Sequence, residues 1–384
     1  GLLGRKLGHS LSPQIHRFFG DYEYRLYEKE PEEVEGFLQE TLAAPVGEDA
    51  DGTEGLGFLN VTIPYKQTVF ELCDELSPMA QKLGNVNFVT RTADGKLKGD
   101  NTDAFGVERL LDANGIDVRG WNCAILGAGG AAMTVKAVLE ERGAKRVTFV
   151  RRGEEPAQDD DLIVNATPVG MFPDVDGVRV DILQYVSSKA VLDLVYNPSP
   201  TRLVREARSC GKIAADGMVM LISQAYRAFQ LAPGTRHQAL GTLFLYGPPA
   251  SGKSTWARQI SEATGLKLID LDAEIVKATG KPISETFATE GEMAFRQIEK
   301  RELRRVADAK GQVVALGGGC LLYEECRQIA ESSGRVVVID CPVDVLKARL
   351  TGLDRPLSAD PDKLERLLSV RNAHYASFGV HVEF

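Results

Sequence analysis

The segment "GPPASGKS", Gly247 to Ser254, matches G-x-x-x-x-G-K-[ST] in full. In such a loop successive backbone N–H groups cradle phosphates, a lysine reaches the β- and γ-oxygens, and a hydroxyl ligates Mg²⁺. Here the lysine is Lys253 and the hydroxyl is Ser254, with Ala250, Ser251, Gly252 and Thr255 completing the cradle. The chemistry implied is phosphoryl transfer from ATP. A second glycine-rich segment lies upstream. "GAGGAA" fits G-x-G-x-x-A at Gly127, Gly129 and Ala132, with Ala128, Gly130 and Ala131 forming the turn and helix start. That motif suits the pyrophosphate of a dinucleotide, although a plain tight turn is its bland alternative. The next strand ends "TFVRR". An NAD binder places an acid there, whereas Arg151 and Arg152 suit a 2′-phosphate, so the cofactor reads as NADP(H). A pair of solvated arginines is the competing reading.

Each reaction also needs groups beside its cofactor. Hydride addition to a carbonyl requires a proton donor, and a lysine oriented by a carboxylate is one solution. Three polar clusters in the N-terminal region offer candidates: "GHSLSPQIH", "NVTIPYK" and "GDNTD". For phosphoryl transfer, "LIDLDAEI" places Asp270 and Asp272 at a strand end, where period-two alternation puts both on one side. One would support Mg²⁺ and the other orient a hydroxyl nucleophile. An N-cap plus a solvated acid is the alternative. In "EMAFRQIE", Arg296 precedes Glu299 by one helical turn, either held by it or as an exposed i,i+3 pair.

The elements that must position these groups follow an α/β pattern. Strand-like runs ("NCAIL", "RVTFV", "DLIVNA", "AVLDLV", "TLFLYG", "KLIDLD", "QVVALG", "RVVVID") alternate with helical stretches such as "EEVEGFLQETL" and "ISEATG". This favours parallel sheets. Residues 44–55 and 151–161 read as polar loops, and "LAPGTRHQALG" as a short linker. At 384 residues the chain has room for two or three domains. A net charge of −9 argues against a nucleic-acid partner. The scattered cysteines 73, 123, 210, 320, 326 and 341 contain no CxxC and fit a reduced, cytoplasmic protein. The histidines show no metal-ligand spacing, and no apolar run is long enough to span a membrane. The first residue is not methionine, so the natural start lies open.

Two resemblances emerge from these residues. "GLLGRKLGHSLSPQIH", "NVTIPYK", "NVN", "DNTDAFG", "GAGGAA", "VNATPVGM", "DLVYNP" and "SQAYRAF" resemble, in content and order, the shikimate dehydrogenase family over residues 1 to about 230. The resemblance implies reversible, NADPH-dependent reduction of 3-dehydroshikimate. Lys66 and Asp103 would be the catalytic pair, and Ser10 and Ser12 would bind the substrate carboxylate. Thr62, Asn87 and Gln224 would hold ring hydroxyls or the carbonyl end, and Tyr196 would line the substrate side. Thr167 and Gly217 would face the cofactor. The sequence departs from the family where Val150, Arg151 and Arg152 replace an Asn-Arg-Thr run, where Val219 replaces a common glycine, and where 152–162 is too short for a helix.

From about residue 241 onward, the phosphate loop, "LIDLDAEI", "EMAFRQIE", "ALGGG", "DRPL" and "VRNAHY" resemble shikimate kinase. This implies transfer of the ATP γ-phosphoryl group to the shikimate 3-hydroxyl. Asp272 would orient that hydroxyl and Asp270 the Mg²⁺ shell. Arg296 and Arg371 would clamp the carboxylate, with Gly318 and Gly319 offering backbone contacts. Arg355 would act from a lid, and Arg349 would lie near the adenine. The lid sequence is compact, and the sequence ends at "VHVEF", where the family usually continues into another helix.

The expectation is therefore a bifunctional α/β chain acting on small molecules. A substrate domain would occupy 1–104 plus about 222–235, a Rossmann NADP domain 105–221, a linker 236–241, and a P-loop kinase domain 242–384. A catalytically impaired shikimate- or quinate-sensing regulator, and a quinate-preferring dehydrogenase fused to a kinase, are the alternatives. The oligomeric state is not legible.

Overall fold

The computed structural model describes residues 1–41, 57–233, 241–350 and 361–384. The chain divides into two compact units, one comprising Gly1–Pro13 and Glu23–Arg236, the other Gln14–Tyr22 and His237–Phe384. The expected loop at 44–55 and nearly all of the expected linker fall outside the described residues.

The first unit holds two sheets. The first has strands β1 (Leu2–Gly4), β2 (Leu26–Glu28), β3 (Leu59–Val61), β4 (Glu75–Leu76), β5 (Phe88–Arg91) and β6 (Leu97–Asp100), in the order β2-β1-β3-β5-β6-β4. Only the β3–β5 and β5–β6 pairings are antiparallel. The second is wholly parallel: β7 (Asn122–Leu126), β8 (Arg146–Val150), β9 (Leu162–Asn165), β10 (Ala190–Asp193) and β11 (Ile213–Ala215), in the order β11-β10-β9-β7-β8. The apolar runs "LIVN" and "AVLD" are buried at every position, as strands covered on both faces must be. β8 lies at the edge and accordingly exposes Thr148. β7 sits where the chain reverses direction across the sheet, and its C-terminal end feeds the glycine loop. No helix separates β8 from β9, in keeping with the shortness of 152–162.

The helices Asp103–Ala113 and Met218–Leu231 pack together in this unit. A Cβ at Gly106 would stand 2.8 Å from Met220 Cγ, so a side chain there would wedge the pair apart.

The second unit contains β12 (Thr242–Tyr246), β13 (Lys267–Asp270), β14 (Gln312–Ala315), β15 (Gly334–Asp340) and β16 (His381–Glu383), parallel in the order β13-β14-β12-β15-β16. β12 is central and buried throughout, and its chain turns through the second glycine loop into the helix Lys253–Thr264. The core joins Phe244, Tyr246, Phe295, Leu303 and Val338 to Tyr375 and Phe378. The helix Ile283–Ala307 is two helices meeting at Gly291, whose φ of 81° interrupts the helical backbone.

Candidate active sites

In the first unit, Lys66 opens the helix Lys66–Leu72 beyond β3, and Asp103 opens the helix Asp103–Ala113 beyond β6. Lys66 Nζ donates to Asp103 Oδ2 at 2.5 Å, and the side chains are only 19% and 5% exposed. Burial strengthens such a pair and fixes the amine in place. Asp103 is itself placed from behind, because Asn101 Oδ1 accepts its backbone N–H at 3.0 Å. Both ends of the Asn87 amide engage Thr102: Oδ1 accepts the Thr102 N–H at 2.7 Å and Nδ2 donates to Thr102 Oγ1 at 3.1 Å. Ser10 and Ser12 converge, with their hydroxyl oxygens 3.1 Å apart and the Ser12 N–H donating to Ser10 Oγ. Thr62 follows β3 and lies against Gly4, whose missing Cβ would stand 2.8 Å from Thr62 Cγ2. Tyr196 and Gln224 are half-buried, and burial raises the Tyr196 phenol above its ordinary value.

The glycine loop after β7 has the form a pyrophosphate needs. Gly127 has φ 102°, and Gly129 and Gly130 have open space where a Cβ would stand. Ala128 lies between them and Ala131 in the first turn of the helix Gly130–Glu141. Thr167 borders this loop, its Cγ2 3.0 Å from the Cβ position of Gly127. Its hydroxyl donates to Asn165 Oδ1 at 2.6 Å, and Asn165 Nδ2 donates to the buried Asp193 at 2.8 Å. Burial pushes the Asp193 carboxyl up from 3.8 to about 6, against the bonds it accepts from Thr201, Val195 and Asn165. Gly217 caps the helix Met218–Leu231. A Cβ there would lie 2.2 Å from the Leu194 carbonyl oxygen, so only glycine fits. Arg151 and Arg152 are exposed just beyond β8.

In the second unit, a cavity of about 490 Å³ is lined by Ala250, Gly252 to Trp256, Asp270, Asp272, Ala315 to Gly318, and Arg349. The Ser251 hydroxyl is 3% exposed and has no protein partner, an orphan that a phosphate oxygen would satisfy. Lys253 Nζ donates to the carbonyls of Gly247 and Pro248 at 3.0 and 2.6 Å. Ser254 Oγ donates to Asp270 Oδ2 at 3.0 Å, bringing together two oxygens suited to a hard cation. Among the described residues no three His, Cys, Asp or Glu side chains converge on a metal position. Mg²⁺ takes few protein ligands and keeps water or phosphate oxygens, so the Ser254–Asp270 pair is the donor set it would use.

The second glycine run is ringed by charged groups. A Cβ at Gly319 would stand 3.0 Å from Arg296 Nη2 and 3.3 Å from Arg371 Nη1; one at Gly317 would stand 3.1 Å from Asp272 Oδ1. Arg371 Nη1 and the Tyr375 hydroxyl both donate to the Gly318 carbonyl. Arg296 Nη1 donates to Glu299 Oε2 at 2.6 Å, with side chains 10% and 2% exposed, so this is a buried pair and not a surface one. Burial raises the Glu299 carboxyl, and Arg296 opposes that shift. The Arg296 Nε is buried without a protein partner. Arg349 donates to the Ala250 carbonyl at 3.3 Å.

Two family models match the chain, one toward each end. The model of the shikimate dehydrogenase substrate-binding domain matches residues 2–89, and that of shikimate kinase matches 249–383. The shikimate dehydrogenase (NADP(+)) of Methanopyrus kandleri is 36% identical over 272 residues, covering 61% of this chain and 89% of its own. The chain belongs to the shikimate dehydrogenase family. A Clostridium beijerinckii shikimate dehydrogenase is 35% identical, covering 60% of this chain and 90% of its own. Two solved structures resemble the chain at 31% identity. One is a chorismate mutase/shikimate 5-dehydrogenase fusion from Clostridium acetobutylicum (TM-score 0.54, covering 60% of this chain and 89% of its own). The other is the Thermus thermophilus shikimate 5-dehydrogenase in complex with NADP(H) and shikimate (TM-score 0.53, covering 61% and 92%). This shikimate dehydrogenase thus carries a shikimate kinase domain behind it, joining oxidoreductase and phosphotransferase modules in one chain.

Strand alternation is not what brings Asp270 and Asp272 together. β13 ends at Asp270, which N-caps the helix Leu271–Thr279 by accepting the Ala273 N–H at 3.3 Å; Asp272 lies in that helix's first turn. They meet at the cavity because a helix start bends back over its strand end. Arg355 lies outside the described residues. Sequence reasoning missed Trp256 in the cavity wall, Asn101 behind Asp103, Tyr375 behind Gly318, and the line from Asp193 through Asn165 to Thr167. Asn101 lies inside "GDNTD", Asn165 and Thr167 inside "VNATPVGM", Asp193 opens "DLVYNP" and Tyr375 closes "VRNAHY", so the motifs held these residues without showing what they touch.

Proposed function

We propose that the first unit reduces 3-dehydroshikimate to shikimate with NADPH, reversibly, and that the second phosphorylates the shikimate 3-hydroxyl with ATP. The observation that carries this reading is the pair of lysine-centred sites, the buried Lys66–Asp103 pair in a unit that also holds a dinucleotide-type glycine loop and Lys253 within the glycine loop of the other unit. When bound, NADPH supplies the hydride and magnesium ATP the phosphoryl group. Lys66 gives its proton to the carbonyl oxygen on reduction and withdraws it from the hydroxyl on oxidation, while Asp103 keeps the amine aimed. Ser10 and Ser12 hold the substrate carboxylate; Thr62, Asn87, Gln224 and Tyr196 surround the ring. Gly127 to Ala131, Thr167 and Gly217 take the dinucleotide, and Arg151 and Arg152 its 2′-phosphate. In the second unit Asp272 orients the hydroxyl, Ser254 and Asp270 serve the metal, and Lys253 meets the phosphates. Arg296 and Arg371 grip the carboxylate with planar donors, a geometry suited to that group. Arg355 stabilises the transferring charge, and Arg349 borders the base. The domain limits follow as 1–104 with about 222–235, 105–221, and 242–384. No described helix is long and apolar enough to cross a membrane. The described cysteines are unpaired by disulfides, which supports a reducing, cytoplasmic setting.

The test supplies shikimate to the purified chain with NADP⁺ alone, with ATP alone, and with quinate replacing shikimate. NADPH formation in the first mixture and ADP formation in the second are expected, with quinate the poorer substrate. Lys66→Ala should remove only the first activity and Lys253→Ala only the second. Loss of both from either change in a folded protein would refute independent sites, and a strong quinate preference would refute the substrate.

A further inference from the structure

The turn after β8 is closed by more than its own residues. The Glu154 N–H donates to the Arg151 carbonyl at 3.0 Å, and Glu154 Oε2 accepts the Arg151 N–H at 2.8 Å. A carboxylate therefore rests against the backbone donor at the end of β8, beside the two arginines read as a 2′-phosphate site. A third arginine reaches the same turn from far along the sequence. Arg179 Nη2 donates to the Arg151 carbonyl at 2.5 Å and to the Glu154 carbonyl at 3.1 Å.

Arg179 is fixed by its neighbours. Val178 and Val180 pack into the core of the second sheet with Ile182 and Tyr185, and the intervening residue turns toward the turn. The same segment is tied to the loop by Tyr185, whose hydroxyl donates to Glu155 Oε2 at 2.7 Å. With no helix between β8 and β9, residues 178–188 flank the loop and bring a guanidinium to it. Both bonds to the turn are made by Nη2, and Nε and Nη1 carry further donors.

We propose that Arg179 is a specificity-determining residue of the dehydrogenase: the third cation of the 2′-phosphate site, with Glu154 the internal anion that the phosphate displaces. The inference rests on the reading of Arg151 and Arg152 as that site. It assigns the discrimination between NADP⁺ and NAD⁺ partly to a residue beyond β9, outside the segment where the dinucleotide fingerprint looks for it. Arg151, Arg152 and Arg179 outweigh Glu154 and Glu155 in charge, and Glu155 is engaged by Tyr185, so the turn favours an added anion.

The experiment measures kcat/KM for shikimate oxidation with NADP⁺ and with NAD⁺ in the full chain and in Arg179→Ala, Arg179→Lys, Glu154→Gln and the Arg151→Ala/Arg152→Ala double variant. Arg179→Ala is expected to lower the NADP⁺/NAD⁺ ratio by roughly 10- to 100-fold, carried by KM for NADP⁺, as loss of a hydrogen bond to a charged group implies. Arg179→Lys should restore part of the ratio, and Glu154→Gln should raise it. Adenosine 2′,5′-bisphosphate, as a competitive inhibitor, should weaken in parallel with NADP⁺. An unchanged ratio in Arg179→Ala, with the double variant reduced, overturns the proposal alone. Equal losses with both cofactors reduce Arg179 to a strut and also overturn it. If the double variant leaves the ratio unchanged too, the 2′-phosphate reading of β8 falls with it.

Discussion

Asp193 offers a test that couples the fold of the dehydrogenase to pH. Its carboxylate is 1% exposed and accepts bonds from Asn165 Nδ2, Val195 N–H and Thr201 Oγ1, yet burial outweighs these and raises the folded pKa from 3.8 to about 6. An acid raised on folding favours the native state while protonated. Its contribution is complete below pH 3.8 and is lost as pH rises through about 6. The rise from 3.8 to about 6 corresponds to about 3 kcal/mol in all, of which about 1.5 kcal/mol falls between pH 5 and 7.5. Asp193→Asn is neutral throughout. Its Oδ1 still accepts from Asn165 and Val195, and its amide N–H can donate to Thr201. The difference in stability between variant and parent should therefore move in the variant's favour by about 1.5 kcal/mol across that interval. The assay is urea denaturation in a Trp256→Phe background. The chain has two tryptophans, so fluorescence then reports Trp121, immediately before β7. If the parent and variant stabilities run parallel from pH 5 to 7.5, the burial argument is wrong. The same line of bonds reaches Thr167, so the cofactor side should share the pH dependence.

Three other outcomes are expected. Glu299→Gln should destabilise the kinase unit by about 3 kcal/mol, the low end for breaking a buried ion pair because the amide still accepts from Arg296; denaturation followed at Trp256 in a Trp121→Phe background checks this, with a raised KM for shikimate alongside. Ala250 holds φ 63°, a left-handed conformation that costs a non-glycine residue about 1 kcal/mol or more, so Ala250→Gly should raise the Tm of the kinase unit, offset in part by glycine's greater unfolded-state freedom. Gly217→Ala, with its Cβ forced toward the Leu194 carbonyl, should cost the dehydrogenase unit about 2–3 kcal/mol and most of its activity while ATP-dependent turnover persists.

Much of this architecture could be read from the chain because it is carried by local patterns. "NCAIL" and "RVTFV" are strands at the expected residues, short β-branched and apolar runs bounded by glycine turns. Both glycine loops sit between strand and helix, as their phosphate chemistry demands. The grouping of Arg296, Arg371 and Asp272 about the second glycine run was legible only through family resemblance, because their approach depends on packing between elements distant in sequence. Arg179 carried no pattern, and Asp193, though it opens "DLVYNP", carried none that gave it a role. One is a lone arginine between valines and the other an acid closing an apolar strand, and their significance arises from what the fold sets beside them. Asp270 and Asp272 differ again: both line the cavity, but the strand whose alternation would pair them ends at Asp270, two residues before Asp272.

Lys253 in the second glycine loop spans the carbonyls of Gly247 and Pro248. The loop is thus shaped around an ammonium, which leaves the lysine little conformational freedom to surrender on binding phosphate. An incoming phosphate must instead draw the cation away from two carbonyl dipoles, so weakly charged or monophosphate ligands gain little by the exchange. A tether of this kind would favour a triphosphate, whose charge repays that exchange, over a monophosphate.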